Sequence, residues 1–304
     1  VKDLKPDVLF CHFNDTLSGI IFTLNHKKLN CPIVFDTHML DMASANKLNK
    51  IFRKLYRLFI TPIILKNKMI VIRTQNDNYV ENRLGIPLSQ CPWISVGSDT
   101  LLFQPDLEIR KKFREENNIS EDDFVVVYTG KLISSKGGKL LGEAFLNKFN
   151  CERNIVLITV GSEEDTEYGR EVSDLFKNSQ NRIIRFPTQR YTDLAKFYQA
   201  SDLSVFPKQC SLSFYDAQAC GLPVVSEDNN VNVDRLKNNN GFNFRADDIN
   251  DFRAKIEQCA NMDKQEFSQI GNNGIEFIAE NYNYEDIARK YTQILQNEYE
   301  KFYL

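Results

Sequence analysis

The 304-residue sequence has only three histidines and seven scattered cysteines, no two of which form a CxxC pair. A zinc site therefore has few candidate ligands, and the odd number of cysteines is typical of reduced thiols in a cytoplasm. No apolar run approaches the ~20 residues that span a bilayer. The net charge of −3 lacks the basic excess of nucleic-acid binders. We therefore expect no metal, no disulfide scaffold, no nucleic-acid partner and no membrane-spanning helix.

Two nucleotide-binding fingerprints are missing as well. The sequence contains neither the GxGxxG of dinucleotide-binding folds nor the spacing of a P-loop. Both absences disfavour an NAD-linked oxidoreductase or a P-loop nucleotidase. The sequence is 42% hydrophobic and 26% charged, which is typical of a globular protein. The hydrophobic residues are numerous enough to form a sizeable core. The length indicates one large or two ordinary domains.

Short β-branched and aliphatic runs alternate along the chain with longer amphipathic stretches. Continuous apolar strands separated by helices predict parallel sheets covered on both faces, which defines an α/β chain. The predicted strands are Val8–Phe10, Ile33–Phe35, Met69–Ile72, Trp93–Val96, Phe124–Tyr128, Ile155–Val160, Arg182–Phe186, Leu203–Phe206 and Val224–Ser226.

The pattern breaks near residues 100–120, where a proline is followed by a charged helix and an acidic loop. We therefore predict a first domain over 1–105, a second domain over 106–283, and an amphipathic helix over 284–304 that crosses back to the first domain. Because Val1 stands close before a predicted strand, we also expect that an N-terminal part of the first domain is missing.

Residues 201–226 are the most informative stretch of the chain. An apolar run stops at Pro207, a small polar loop follows, and a helical segment then carries Asp216 near its start and ends at Gly221. Free backbone N–H groups at the start of a helix bind anions well, and a carboxylate one turn further in can accept hydroxyls. This strand–loop–helix unit predicts a grip on a nucleotide sugar.

A second phosphate-binding candidate follows the strand at 124–128, where Gly130 precedes Lys131 and Lys136. Glycine after a strand lets the backbone approach a ligand closely, and the two lysines could neutralise a diphosphate without metal. Taken alone, an ordinary turn with exposed lysines is the better interpretation. Together with the loop before Asp216, phosphate binding is favoured.

Two further strand ends lie where ligands bind in open parallel sheets. Gly161 ends one predicted strand, and Phe186, Pro187 and Thr188 form another strand end whose loop could pinch a base against backbone groups. Each motif is weak by itself, since glycine at such positions is common for purely structural reasons.

In the first domain, His38 stands just past a strand end. Its imidazole could contact the transferred sugar or shuttle a proton, and a hydrogen-bonded structural histidine is an equal alternative. Gly97 and Asp99 precede the inter-domain connection and are candidates for the same side of the site.

The segment 47–65 is basic and apolar and predicts a helix. One interpretation is an interfacial membrane contact that places the protein beside a lipid-linked acceptor. The favoured alternative is a sheet-covering helix with a solvated face, since Pro62 divides the stretch.

Taken in order, the motifs resemble the retaining, nucleotide-sugar-dependent glycosyltransferases of family 4, which have the GT-B fold of two Rossmann-like domains. The matching segments are KPDVLFCH, PIVFDTH, VGSDTLLFQP, TGKLISSKGGKLLGEAF, ITVGS, RFPTQRYTDLAKFYQASDLSVFP, DAQACGLPVV and NNGFNF. The resemblance covers nearly the whole chain. It lacks the family's first strands and their Gly-rich loop, in agreement with the expected missing part.

By position, the resemblance implies that Lys131 and Lys136 contact the diphosphate and that Asp216 binds the ribose hydroxyls. It implies that His38 is the acceptor-side histidine, which completes a catalytic set with the two lysines, and that Gly97 and Asp99 belong to the acceptor side. The other implied donor-binding residues are Gly130, Gly161, Phe186, Pro187, Thr188, Ser211, Leu212 and Ser213.

The implied activity is transfer of a sugar from a nucleoside-diphosphate sugar to a hydroxyl with retention of configuration, in cell-surface glycan biosynthesis. No cofactor or metal is implied. The implied partners are a nucleotide sugar and a glycan or lipid-linked acceptor, in the cytoplasm or at the inner face of the plasma membrane. The family's paired glutamates are eight positions apart, and Lys208 stands where the first is expected. A non-catalytic nucleotide-sugar-binding homologue is therefore the alternative.

Overall fold

The computed structural model describes residues 2–40, 48–208 and 212–304. The strands are β1 (Leu9–Cys11), β2 (Ile33–Thr37), β3 (Ile70–Arg73), β4 (Phe124–Thr129), β5 (Ile155–Val160), β6 (Arg182–Phe186), β7 (Leu203–Phe206), β8 (Val224–Glu227) and β9 (Gly241–Phe244). The α-helices are α1 (Leu17–Leu24), α2 (His26–Leu29), α3 (Leu48–Phe59), α4 (Thr61–Lys66), α5 (Leu107–Glu116), α6 (Gly138–Ala144), α7 (Glu167–Lys177), α8 (Ala195–Gln199), α9 (Ser213–Ala219), α10 (Asn230–Arg235), α11 (Ile249–Asn261), α12 (Lys264–Asn281) and α13 (Tyr284–Tyr303).

The chain divides into two compact units. Unit 1 comprises Val1–Val96 and Glu285–Leu304, and unit 2 comprises Gly97–Tyr284. Each unit has its own sheet, and the strands within each sheet pair in parallel. The predicted α/β class with parallel sheets is therefore confirmed.

Unit 1 contains the sheet β1-β2-β3 with helices on both faces. One face of the sheet, with Phe35 and Val71, packs against Tyr56 and Ile64 from α3 and α4. The opposite face packs against α13 through residues such as Ile287. All five residues of the central strand β2 are buried, as expected of a strand covered on both sides.

Two predictions for unit 1 need correction. The segment predicted as one helix over 47–65 forms two helices, and Pro62 lies in the first turn of α4, where proline lacks only an N–H that has no helical partner anyway. The predicted strand Trp93–Val96 is wrong, because Trp93 forms only an isolated bridge with Arg73.

Unit 2 contains a six-stranded sheet in the order β6-β5-β4-β7-β8-β9. Strands β4 and β5 are buried along their whole length, and their apolar residues pack against α6, α7 and α11 in one continuous core. Strand β9 was not predicted as a strand, since GFNF is short and lies after a run of asparagines. Among the helices of the described ranges, none combines the length and hydropathy needed to cross a bilayer.

Candidate active site

The candidate site of unit 2 lies at the carboxyl ends of its central strands. From β4 the chain adds β5 and β6 on one side, and it then places β7, β8 and β9 on the other side. The direction of growth therefore reverses between β4 and β7. In open parallel sheets, ligands bind outside the carboxyl edge at such a switch point.

Gly130 follows β4 and Gly161 follows β5, and the N–H of each donates to a backbone carbonyl at the end of the neighbouring strand. The N–H of Gly130 donates to the Val160 carbonyl at 2.9 Å, and the N–H of Gly161 donates to the Phe186 carbonyl at 3.0 Å. Their φ angles of 146° and 147° lie where L side chains rarely occur. A Cβ added to Gly161 would lie 2.0 Å from the Gly130 carbonyl oxygen. The loops after β4, β5 and β6 therefore contact one another through backbone atoms, with no side chain at either glycine.

Lys131 and Lys136, the predicted diphosphate ligands, lie in the loop after β4. Lys131 is exposed, and its carbonyl accepts a hydrogen bond from the Tyr128 hydroxyl at 2.8 Å. Lys136 ends a short 3-10 turn, and its Cδ lies 3.7 Å from the position that a Cβ on Gly130 would occupy. The structure therefore brings the stem of Lys136 against the bare backbone at Gly130.

The loop after β7 approaches the same segment. A Cβ on Gly137 would lie 3.0 Å from side-chain atoms of both Pro207 and Lys208. The Lys208 ammonium pairs with Asp247 at 2.6 Å, and this hydrogen-bonded pair raises the pKa of Lys208. Glu227, which ends β8, accepts the Asp247 N–H at 3.3 Å, and burial raises the pKa of its carboxyl. Lys208, for which the resemblance implies a glutamate, is thus held by an acid of its own unit.

Phe186, Pro187 and Thr188 follow β6 at the same edge. The Phe186 ring packs against Phe113 and Phe197, with centroid separations of 5.8 and 4.9 Å. The Phe186 ring therefore lies in an aromatic cluster. The backbone carbonyl of Phe186 contacts the loop after β5, where it accepts the Gly161 N–H. Pro187 and Thr188 are exposed. A base bound here would therefore meet the loop backbone and these two side chains.

Of the three predicted residues before Asp216, Ser211 lies outside the described residues and Leu212 is exposed. Ser213 is the first residue of α9, which packs against α8, the helix that carries the buried Tyr198. Tyr198 shares a hydrogen bond of 2.7 Å with Thr129 at the end of β4. Helix α8 therefore connects α9 with the carboxyl end of β4.

Asp216, predicted to bind ribose, is 2% exposed. Its Oδ1 accepts the Ser98 hydroxyl at 2.6 Å and the Tyr191 hydroxyl at 3.2 Å, and Tyr191 also contacts the Tyr284 hydroxyl at 3.1 Å. Burial raises the pKa of Asp216 to about 7, against the lowering effect of the Ser98 and Tyr191 hydrogen bonds and with a further increase from the charge of Asp99. Both hydroxyls bond Oδ1, and the binding of a ribose by Asp216 stays a prediction.

Gly97 and Asp99, predicted for the acceptor side, lie on either side of Ser98 in unit 2. Asp99 Oδ1 accepts the backbone N–H groups of Leu101 and Leu102 at 3.1 and 3.2 Å, so its carboxylate caps a turn. Gly97 is buried. In the structure this segment orders the surroundings of Asp216, and a contact with an acceptor stays a prediction.

In unit 1, His38 lies just past β2 beside two groups that the sequence analysis did not single out. Asp36 Oδ2 lies 3.3 Å from His38 Nε2 and 2.8 Å from His12 Nδ1, and Asp36 Oδ1 accepts the Phe13 N–H at 2.9 Å. Burial alone would raise the pKa of Asp36, but the hydrogen bonds from His38, the Phe13 amide and His12 outweigh it and lower that pKa.

The ionised carboxylate of Asp36 determines which nitrogen of each ring carries a proton. Because a carboxylate only accepts hydrogen bonds, His38 Nε2 and His12 Nδ1 must both be protonated. His38 therefore presents Nδ1 as its basic nitrogen. The ring is further positioned by Phe13, whose centroid lies 5.0 Å from it.

These three side chains also form the one candidate metal-ligand cluster in the described part of the chain. His12 Nδ1, Asp36 Oδ2 and His38 Nε2 lie within 4.8 Å of one another. A metal would require both of these nitrogens to lose their protons, whereas the hydrogen bonds to Asp36 require them. Metal binding and this hydrogen-bonded arrangement therefore exclude each other, and the expectation of a metal-free reaction stays a prediction.

Several residues of the site were missed from the sequence. Asp36 had a detectable signal, since it is an acid within an otherwise apolar strand, two residues before His38. Ser98, Tyr191 and Glu227 had no distinguishing pattern, because each gains its partner only through contacts between segments that are distant in the chain.

Comparison with known proteins shows the family of the chain. The model of the family "Glycosyl transferases group 1" matches residues 109–276, more than half of the sequence, and the chain belongs to this family. The GT-B glycosyltransferase fold is supported by a crystal structure of Anabaena Alr3699/HepE in complex with UDP and glucose. That structure is similar with a TM-score of 0.80 at 18% identity, over 96% of this chain and 78% of the other.

Two curated relatives act in surface glycan synthesis according to their names. The lipopolysaccharide 1,2-N-acetylglucosaminetransferase of Salmonella typhimurium is 26% identical over 62% of this chain and 52% of its own length. The capsular polysaccharide biosynthesis glycosyltransferase CapM of Staphylococcus aureus is 27% identical over 64% of this chain and 51% of its own length. The chain thus spans about half the length of these relatives.

Proposed function

We propose that this glycosyltransferase moves a sugar from a nucleoside-diphosphate donor to a hydroxyl acceptor, with retention of anomeric configuration, in the synthesis of a cell-surface glycan. The names of the Salmonella and Staphylococcus relatives support the glycan class. The UDP and glucose bound to the Anabaena protein support a nucleotide-sugar donor. The cytoplasm, where nucleotide sugars are made, is the proposed location.

The observation that carries the proposal is the bare backbone at the carboxyl edge of unit 2. Because Gly161 has no Cβ, its backbone packs directly on the Gly130 carbonyl, which brings the loops after β4 and β5 together at the edge where ligands bind in such sheets. Lys136 lies against Gly130 and supplies a cation at this place. A positive charge that is already in position stabilises the leaving diphosphate as negative charge develops on it.

In the proposed reaction, the bond between the anomeric carbon and the diphosphate oxygen breaks, and the electron pair leaves with the diphosphate. The acceptor oxygen forms the new glycosidic bond on the same face of the sugar, and its proton is released. His38 in unit 1 is the proposed acceptor-side group, since its Nδ1 is the basic nitrogen when Asp36 holds Nε2–H.

The proposal is tested first by donor binding. Thermal unfolding of the purified chain is measured with a panel of UDP-, ADP- and GDP-sugars. A true donor at 100 times its dissociation constant is expected to add about 2.7 kcal/mol of stability. Lys136→Ala is expected to lose this gain, whereas Lys139→Ala should retain it, because Lys139 pairs with Glu171 at 3.0 Å on the surface.

Turnover is then followed as donor-dependent release of nucleoside diphosphate with a panel of glycan and lipid-linked acceptors, and the product configuration is read by NMR. Stabilisation by no nucleotide sugar, or equal stabilisation of wild type and Lys136→Ala, would contradict the donor site. An inverted product would contradict retention alone.

A second candidate function is a non-catalytic nucleotide-sugar-binding protein. The observation that favours it is the Lys208–Asp247 ion pair at 2.6 Å, since Lys208 stands where the family resemblance implies an acid. Donor binding of normal strength together with no turnover across the acceptor panel would support this candidate. Turnover that is abolished by Lys136→Ala would exclude it.

A further inference from the structure

Helix α3 differs from an ordinary sheet-covering helix, because it buries polar side chains and exposes large apolar ones. The side chains that it sends into the core include Arg53, over the Tyr79 ring at 5.5 Å, and Tyr56, whose hydroxyl bonds the Asn14 carbonyl at 3.2 Å. Meanwhile its large apolar side chains lie in solvent. These are Leu48, Ile51, Leu55, Leu58 and Phe59, each between 51% and 70% exposed.

The exposed apolar residues of α3 form one stripe. At 100° per residue, the five positions fall within an arc of about 100°, next to the core-facing arc. On the other side of the stripe lie Lys50, Lys54 and Arg57, all exposed, and α3 contains no acidic residue. The helix therefore has three faces, namely a core face, an apolar solvent face and a basic solvent face.

The neighbouring helices of unit 1 also leave large apolar side chains exposed. Helix α1 contacts α4, and α4 contacts α3. All three cover the same face of the sheet. On α1, Leu17, Ile21 and Leu24 are 46% to 74% exposed, and on α4 Leu65 is 38% exposed. We call these four residues and the five of α3 the apolar face of unit 1. Exposed apolar side chains shared by several packed helices favour an interaction site on this face.

The charge around this face identifies the kind of partner. Between residues 16 and 76 the sequence has nine Lys or Arg besides the buried Arg53, and two Asp, whereas the chain as a whole has a net charge of −3. One of the two acids, Asp36, is buried against His12 and His38. Exposed apolar side chains bordered by lysine and arginine fit a bilayer with anionic headgroups, because the apolar stripe enters the acyl boundary while the cations meet the lipid phosphates.

We propose that the apolar face of unit 1 docks the protein onto an anionic lipid surface as a peripheral membrane protein. This goes beyond the proposed function, since docking needs neither a donor nor turnover. It also reverses the interpretation favoured from the sequence, in which the 47–65 segment only covers the sheet. Docking would keep the protein where a lipid-linked acceptor is concentrated.

Vesicle flotation of the full chain tests the proposal without any sugar. The probes are vesicles of phosphatidylcholine alone and of phosphatidylcholine mixed with phosphatidylglycerol. The wild type is expected to float with the anionic vesicles, less with the neutral ones, and less as salt is raised. The triple variant Ile51→Ser, Leu55→Ser, Leu58→Ser is expected to lose at least about tenfold in partitioning.

A charge variant tests the cations separately, with two residues of the basic face and Lys66, which is exposed at the end of α4. Lys50→Gln, Lys54→Gln and Lys66→Gln together are expected to lower partitioning on the order of 100-fold, since each cation near the lipid contributes about fivefold. The matched charge control is Lys111→Gln, Lys112→Gln and Lys264→Gln on exposed positions of α5 and α12.

The matched apolar control is Leu101→Ser with Leu107→Ser in unit 2, where both side chains are about 80% exposed. Both controls should float like the wild type, and circular dichroism should show unchanged melting for every variant. Equal flotation of the wild type and the α3 serine variant would overturn the proposal. So would absence of flotation combined with a dimer, seen by light scattering, that the serine variant dissociates, because a second copy would then cover this face.

Discussion

Helices α6 of unit 2 and α3 of unit 1 both lie on a parallel sheet, but they use their apolar residues in opposite ways. Helix α6 buries Leu140 and Leu141 in the core beneath β4 and β5. Helix α3 buries Arg53 and Tyr56 and leaves most of its leucines in solvent. The difference shows that an amphipathic sequence establishes two faces on a helix, while the packing of the unit decides which face is inward.

The carboxyl edges of the two sheets also differ, in whether backbone atoms or polar side chains are presented there. In unit 2 the edge is bare backbone at Gly130 and Gly161, with a lysine stem beside it. In unit 1 the edge carries polar side chains, since Asp36 holds His12 and His38. A backbone edge suits a phosphate group, and an imidazole edge suits a hydroxyl and its proton. The following predictions test these contrasts.

The largest effect is expected at the backbone edge of unit 2. In Gly161→Ala, the new Cβ would lie 2.0 Å from a backbone oxygen and the residue would keep a φ near 147°. Strain and clash together should cost about 4 kcal/mol, measured by denaturant unfolding of unit 2, and donor binding should be lost. The control is Gly274→Ala within α12, where the nearest atom would be 3.4 Å away and alanine should be neutral or stabilising. Equal stability of both variants would contradict the close contact.

The contrast between α6 and α3 is tested by replacing one leucine with alanine in each helix. Leu141→Ala in α6 removes a fully buried side chain and should cost about 3 kcal/mol of unfolding free energy. Leu55→Ala in α3 removes a side chain that is 51% exposed and should cost less than about 0.5 kcal/mol. Calorimetry of the two variants provides the comparison. A cost of Leu55→Ala similar to that of Leu141→Ala would mean that the apolar stripe of α3 is buried in solution.

The imidazole edge of unit 1 is tested by Asp36→Asn, which keeps the shape of the side chain but removes the charge that holds both rings. The transfer rate is expected to fall about tenfold with little change in KM, because His38 loses its fixed orientation. If Asp36 acts through His38, the double variant Asp36→Asn, His38→Gln should be no slower than His38→Gln alone.

The matched control for Asp36→Asn is His12→Gln, which removes the more exposed ring from the same carboxylate. It should slow transfer less than twofold if only His38 faces the acceptor. Additive losses in the Asp36, His38 double variant would show that Asp36 acts independently of His38.

The last prediction concerns a pH dependence at Asp216. Its carboxyl has a pKa of about 7 in the fold and 3.8 as an unperturbed group, so in the folded protein it stays protonated up to near neutral pH. The folded state binds the extra proton between these values, and stability is therefore lost as pH rises from about 4 through 7, by at most about 1.4 kcal/mol per pH unit. Asp216→Asn should lack this pH-dependent loss of stability. The melting temperature of the variant should therefore rise relative to that of the wild type as pH rises from about 4 to 7. A difference that is constant with pH would contradict the raised pKa.

Much of unit 2 could be predicted from the sequence because its strands are continuous apolar runs. Strands β5, β6 and β7 have the predicted bounds, and β4 and β8 each extend one residue further. Strand β9 could not be recognised, since it is short, three of its four residues are only half-buried, and its pairing with β8 is decided by the sheet. Glycines with unusual φ also follow predicted strands, so their place at the edge was accessible to pattern reasoning.

The sequence alone determined the parallel α/β architecture, the ends of most strands and the position of each glycine and lysine at those ends, because these depend on local hydrophobic runs and backbone freedom. The tertiary structure decided which side chains become partners: Asp216 with Ser98, Asp36 with two histidines, and the outward face of α3. These outcomes depend on burial and on contacts between residues far apart in the chain, such as the 118 positions between Ser98 and Asp216. No local pattern encodes such distances, since folding brings those groups together only when the sheets and helices have packed.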